Sequence, residues 1–214
     1  MPIVCFEGPS AVGKTTMAQH LARTLGAIVV PEVNMLFSRP AEPPPMWYFE
    51  RQVDRWQHAL ASLQSTDLVI LDGDPFQPFW YHWAYRYAGW EPLDSLVAYY
   101  APLIRMGTIS FPNRYLLFTA SEQALRERRA TDTTRQRRGF ERHLGFIRPQ
   151  QTYFAALQAW QPERVRMITS TDREATIGQL TAALQDVPPP LAHTTAVRLF
   201  DKLIGWLHSH ESDA

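Results

Sequence analysis

Phe6-Glu7-Gly8-Pro9-Ser10-Ala11-Val12-Gly13-Lys14-Thr15-Thr16 contains, from Gly8 to Thr15, the spacing G-x-x-x-x-G-K-[ST]. A chain of this length and average composition would match that pattern by chance about once in a hundred or less. Its surroundings fit as well. The apolar run Ile3 to Phe6 precedes it, and a segment of helical period, Thr15 to Leu25, follows and stops at Gly26. Strand, glycine-rich turn and helix are the parts of a phosphate-binding loop. Glycines let the backbone fold around phosphate oxygens, and the N–H groups of Gly8, Ser10, Ala11, Val12, Gly13, Lys14, Thr15 and Thr16 can cradle the anion at the helix N-terminus. Lys14 reaches the terminal phosphates, and the Thr15 hydroxyl suits magnesium.

Working outward, four more short apolar runs read as buried strands: Ala27 to Val30, Leu68 to Leu71, Tyr115 to Phe118, and Val165 to Ile168. Helical segments alternate with them. They are Trp47 to Leu63 with an apolar face of Phe49, Val53, Trp56, Leu60 and Leu63, then Leu93 to Ile104, Ser121 to Arg129, Phe140 to Trp160 with a break near Pro149, and Asp172 to Leu184. Alternation of this kind predicts an α/β fold with a parallel sheet covered on both faces. The main domain is expected over 1–187. Pro188-Pro189-Pro190 then leads into 188–214, where Val197, Phe200, Leu203, Ile204 and Leu207 mark a helix for packing on the domain or for association, including a homodimer.

Leu68-Val69-Ile70-Leu71-Asp72 ends an apolar strand in a carboxylate, so Asp72 is expected to share the metal with Thr15; Asp74 is a weaker candidate in the turn Asp72-Gly73-Asp74-Pro75. Glu32 follows the second strand, at the ligand-binding edge of a parallel sheet. It is the expected acceptor-binding group or general base. Arginines gather at Arg126, Arg128, Arg129, Arg135, Arg137 and Arg138 around Ala130 to Thr134. That predicts a lid over about 126–140, with Arg126 on the nucleotide and Arg128 and Arg135 on the transferring phosphoryl group. The aromatic residues from Phe76 to Tyr100 divide between core and acceptor-pocket wall.

Composition narrows the classes. Lysine plus arginine equals aspartate plus glutamate at 21 each, and the resulting zero net charge argues against a chain built to bind nucleic acid. Only Lys14 and Lys202 are lysines, and Cys5 alone excludes an intrachain disulfide. No apolar run approaches the roughly 18 residues of a membrane span. The start, Met1 to Phe6, lacks the basic and long apolar regions of a signal peptide, so the cytoplasm is expected.

With these residues in place, the chain resembles the thymidylate kinase and deoxynucleoside kinase group of P-loop kinases. Phe6 to Thr16 looks like the group's opening, Arg138-Gly139-Phe140-Glu141 is similar to its lid exit, and Val165 to Ile168 with Ser170-Thr171-Asp172 resembles its last strand and the loop that touches adenine. The resemblance covers roughly residues 1 to 185. It implies the P-loop NTPase fold with a five-stranded sheet in order 2-3-1-4-5, ATP as donor with magnesium, and a nucleoside or nucleotide as the small-molecule acceptor. Glu32 matches the group's acidic residue near the acceptor hydroxyl. The arginine that the group carries after its strand-three acid is here Gly73. Kinases of antibiotics or other hydroxyl compounds share the same core, and a P-loop ATPase switch is a further alternative.

Overall fold

The computed structural model describes residues 1–85, 92–132 and 139–210. Five strands, β1 (Ile3–Glu7), β2 (Ile28–Val30), β3 (Val69–Asp72), β4 (Arg114–Thr119) and β5 (Val165–Thr169), form an all-parallel sheet in the order β2-β3-β1-β4-β5. Between and after them run α1 (Lys14–Leu25), α2 (Val33–Leu36), α3 (Trp47–Ser62), α4 (Gln77–Tyr85), α5 (Leu93–Arg105), α6 (Glu122–Thr131), α7 (Phe140–Leu144), α8 (Ile147–Trp160), α9 (Arg173–Gln185) and α10 (His193–Ser209). This is the P-loop NTPase fold, with the strand order that the resemblance implies.

The period of two along each strand divides the core. Ile3, Cys5, Val69, Leu71, Tyr115, Leu117 and Val165 belong to a cluster with residues of α3, α5, α8 and α10. Val4, Phe6, Ile70, Leu116, Phe118 and Ile168 face the other way, into a cluster with α1, α6 and α9. Both faces are therefore dry, as a parallel sheet requires. Because β1 lies between β3 and β4, its C-terminal loop stands beside the ends of β3 and β2. The crossover order thus sets Gly8, Asp72 and Glu32 around one crevice.

Three helical details differ from the sequence reading. In α3 the buried face is Trp47, Phe49, Gln52, Arg55, Trp56 and Ala59, while Leu60 is exposed. Polarity would place Gln52 and Arg55 outside, but hydrogen-bond partners on the strand ends draw them in. The long segment from Phe140 breaks at Gly145-Phe146, ahead of Pro149, which sits in the first turn of α8. A missing N–H is harmless there, because first-turn donors have no intrahelical acceptor. Part of the aromatic stretch forms α4, in which Phe79, Trp80 and Trp83 are buried.

The proline-led C-terminal segment is tied to the sheet by polar groups. Asn113 donates to the Pro188 carbonyl at 3.0 Å, and Arg164 to that of Pro189 at 2.9 Å. Beyond it, α10 buries Ala196, Leu199, Phe200, Leu203 and Leu207 in the same cluster as α5. Among the described residues no helix is long and apolar enough to cross a membrane.

Candidate active site

The loop after β1 is shaped by its glycines. Gly8 has φ 140°, and a Cβ there would lie 2.5 Å from the Phe118 carbonyl oxygen, so a side chain cannot be accommodated. Gly13, at φ 103°, opens α1 without a side-chain cap. The first-turn N–H groups of α1 are thus left to a ligand. Lys14 folds over the loop, its Nζ donating to the Gly8 carbonyl at 2.8 Å.

Thr15 and Asp72 meet as expected for a metal pair. The Thr15 hydroxyl donates to Asp72 Oδ2 at 2.7 Å. The other oxygen, Oδ1, is buried with no partner. An orphaned carboxylate oxygen beside a hydroxyl fits magnesium. Among the described residues no group of three or more His, Cys, Asp or Glu forms a metal cage. A single carboxylate suits an ion that completes its shell with phosphates and water. Asp74 also has an unpartnered oxygen, Oδ2, but no hydroxyl of the phosphate loop stands beside it. Asp74 is fully buried, and its Oδ1 accepts from Tyr115 at 3.1 Å and from the Phe76 N–H at 3.1 Å.

A cleft of about 380 Å³ runs from the loop to Glu32, just after the end of β2. Residues Glu7 to Thr16 line one wall. Glu32, Asn34, Gln77, Trp80, Tyr81, His143 and Gln150 line the rest. The volume lies in the range of small-ligand sites. Glu32 stands at the start of α2, where its carbonyl accepts from Met35 and Leu36. Trp80 and Tyr81 stack with centroids 4.2 Å apart. Gly8, Ser10, Ala11, Val12, Gly13, Lys14, Thr15, Thr16 and Glu32 are thus brought together.

Of the three arginines expected at the site, two are described and neither lines the cleft. Arg126 lies outside the cleft lining on the exposed side of α6, paired with Glu122 and Glu141 at 2.6 Å each. The Glu141 pair ties α6 to α7. Arg128 does not line the cleft either. It donates to the Val12 carbonyl (3.1 Å), to the Ser170 hydroxyl (2.9 Å) and to the carbonyls of Ser170 and Thr171 (2.8 and 2.7 Å). Its work is to latch the phosphate loop to the loop after β5. Arg135 lies outside the described residues, with the rest of 133–138 in the expected lid.

Sequence reasoning gave no role to Glu7, Arg55, Gln77, His143 or Gln150. Glu7 ends β1, is buried, and accepts from the Asp74 N–H at 2.6 Å, the Gly8 N–H at 3.3 Å and Gln150 at 2.9 Å. Burial, with a smaller push from Glu32, raises its pKa to about 7 against the pull of Lys14. Asp74 is raised to about 8 by burial and then by Glu7. Burial lowers the pKa of His143, which lines the cleft, and Lys14 and Arg142 add to the effect, favouring the neutral imidazole.

Comparison with solved structures gives a match to deoxyadenosine kinase from M. mycoides with bound dATP. That structure is 16% identical, has a TM-score of 0.58, and is aligned over 87% of this chain and 100% of its own. At that identity the likeness speaks for the fold. No curated protein matches the chain. The family model that does match spans residues 3–194, from β1 into α10, and takes in the phosphate loop, Asp72 and the whole sheet; the chain belongs to the AAA domain family.

Proposed function

We propose that the protein is an ATP-dependent kinase that transfers the γ-phosphoryl group to a hydroxyl of an uncharged small molecule bearing a planar ring, a nucleoside above all. The observation that carries this reading is the joint lining of one cleft by the phosphate loop and Glu32. The donor half holds a triphosphate with backbone N–H groups and Lys14. Thr15 and Asp72 would hold magnesium, which neutralises phosphate charge when bound. Glu32 accepts the proton of the acceptor hydroxyl as its oxygen bonds to the γ-phosphorus and the bond to ADP breaks. The deoxyadenosine kinase relative supports a nucleoside through its fold.

Charge separates nucleosides from nucleotides. Among the described cleft residues, Lys14 is the sole arginine or lysine, and the loop already claims it. Gly73 stands where the resembled group carries an arginine. A phosphorylated acceptor would face Glu32 with no described cation of its own, and like charges in a partly dry cleft repel. The test is ATP consumption over a panel of nucleosides, nucleoside monophosphates and hydroxylated antibiotics, against the rate without acceptor. Stimulation by nucleosides is expected. Full turnover without any acceptor would make the protein an ATPase, and stimulation by monophosphates alone would overturn the neutral acceptor.

A further inference from the structure

The buried polar residues of α3 form a chain that ends in the acceptor cleft. Arg55 is 1% exposed. Its Nε donates to the Pro31 carbonyl at 2.7 Å, and its Nη2 to the carbonyls of Asp72 and Gly73 at 2.8 and 3.0 Å. One guanidinium therefore grips the residue before Glu32 and the metal carboxylate's own backbone. Its Nη1 donates to Gln52 Oε1 at 2.5 Å. Arginine can only donate, so this contact fixes which end of the Gln52 amide is oxygen. The Gln52 nitrogen then points onward, donating to Gln77 Oε1 at 3.4 Å. Tyr48, whose phenol is pushed up by burial and keeps its proton, donates to the same oxygen at 2.5 Å.

Two donors thus hold the oxygen of Gln77, and its orientation is inherited from Arg55 rather than free to flip. Gln77 lines the cleft, and its Nε2 has no partner among the described residues. This nitrogen lies 3.9 Å from where a Gly73 Cβ would stand, as near as the Arg55 guanidinium nitrogens at 3.8 and 3.9 Å. Beside it, Trp80 lines the same cleft, and its buried indole N–H also lacks a partner. The spare polar groups of Gln77 and Trp80 are both donors.

Resting on the kinase reading above, we infer that Gln77 selects the acceptor by donating from its amide nitrogen to a ring carbonyl, and that Arg55 and Gln52 are positioning residues that fix the direction of that amide. Acceptors with a carbonyl on the ring edge fit. Acceptors with an amino group at the same place bring donor against donor.

The experiment measures binding and phosphate transfer for thymidine and deoxyguanosine, which carry the carbonyl, against deoxycytidine and deoxyadenosine, which carry the amine. The wild type should favour the carbonyl pair by about 10-fold or more in kcat/KM, the scale of one hydrogen bond gained against one buried donor left unpaired. Gln77→Glu replaces the donor with an acceptor and should reverse the ranking, while the KM for ATP serves as the internal control. Gln52→Glu touches no substrate. It still accepts from Arg55 but offers an oxygen to Gln77, turning that amide over, and should move the ranking in the same direction. A merely structural Gln52 would lower stability and leave the ranking alone. Unchanged rankings in Gln77→Glu, or an amine preference in the wild type, overturn the inference while phosphate transfer upholds the kinase reading. Binding of the carbonyl pair without transfer upholds the selection and overturns the kinase reading. No binding of any of the four overturns both.

Discussion

The two halves of the cleft are built in opposite ways. The donor half is a run of consecutive residues, Glu7 to Thr16, whose ligand groups are mostly backbone and whose shape rests on glycines. The acceptor half gathers Glu32, Gln77, Trp80, Tyr81, His143 and Gln150 from the ends or sides of α2, α4, α7 and α8. A backbone cradle binds any triphosphate and is written locally. A side-chain wall can be changed residue by residue, which is where choice of acceptor belongs.

That contrast can be broken by mutation, and the largest effect is expected at the acceptor side. Glu32→Gln keeps size and hydrogen bonding but loses the basic charge. Transfer should fall by about 10²–10⁴-fold, with ATP affinity little changed, as read by single-turnover kinetics and ATP titration. A mutant that loses ATP binding but transfers normally at saturation would assign Glu32 to the donor half. Lys14→Ala is the donor-side counterpart. A lost charge-stabilising group costs about 10²–10³-fold in kcat, and the circular dichroism spectrum should not change. Asp72→Asn should raise the magnesium concentration needed for half-maximal rate. An unchanged magnesium optimum would place the metal elsewhere.

A smaller effect is expected at Arg128, which joins Val12 to Ser170 and Thr171. Arg128→Leu should weaken ATP binding by about 10-fold, the scale of a few charged hydrogen bonds partly replaced by water. The acceptor KM should stay within about 2-fold if the two halves are independent in the sense of separated, unshared partners. A loss confined to kcat would restore Arg128 to direct contact with the phosphoryl group.

The smallest effect is on stability. Glu7 rises from 4.5 to about 7 and Asp74 from 3.8 to about 8, both chiefly by burial. The folded protein thus holds protons that the unfolded chain gives up. The stabilisation from the neutral forms is complete below the unfolded values and is lost as pH climbs to about 8. Asp74→Asn keeps an oxygen for Tyr115 and Phe76 and removes one titration. Its melting temperature should decline less steeply than the wild type's between pH 5 and 8. Parallel declines would show that Asp74 does not titrate in this window.

The legible parts of the molecule share a physical reason. Strands buried on both faces announce themselves as apolar runs, and the loop from Gly8 to Thr15 needs glycine and lysine at fixed spacing. Sheet order came with the resemblance. Glu32 was readable because a residue after a parallel strand has only one edge to occupy. Arg55 and Gln52 were not, since helical period assigns charge and amide to solvent, and only the carbonyls of Pro31, Asp72 and Gly73 reverse that. The arginines of α6 look alike in sequence. Their separate places depend on Glu141 and Ser170, which are 15 and 42 residues from Arg126 and Arg128.

The most direct test of the central claim, a backbone-built triphosphate cradle facing a side-chain wall for a neutral hydroxyl compound, is a transfer assay with ATP labelled at the γ-phosphate. Thymidine and thymidine monophosphate are offered in equal amounts, with a no-acceptor control. The account predicts label on thymidine, little on the monophosphate, and slow release of labelled phosphate to water. Label carried to the monophosphate, or released to water at the same rate with and without acceptor, would contradict it.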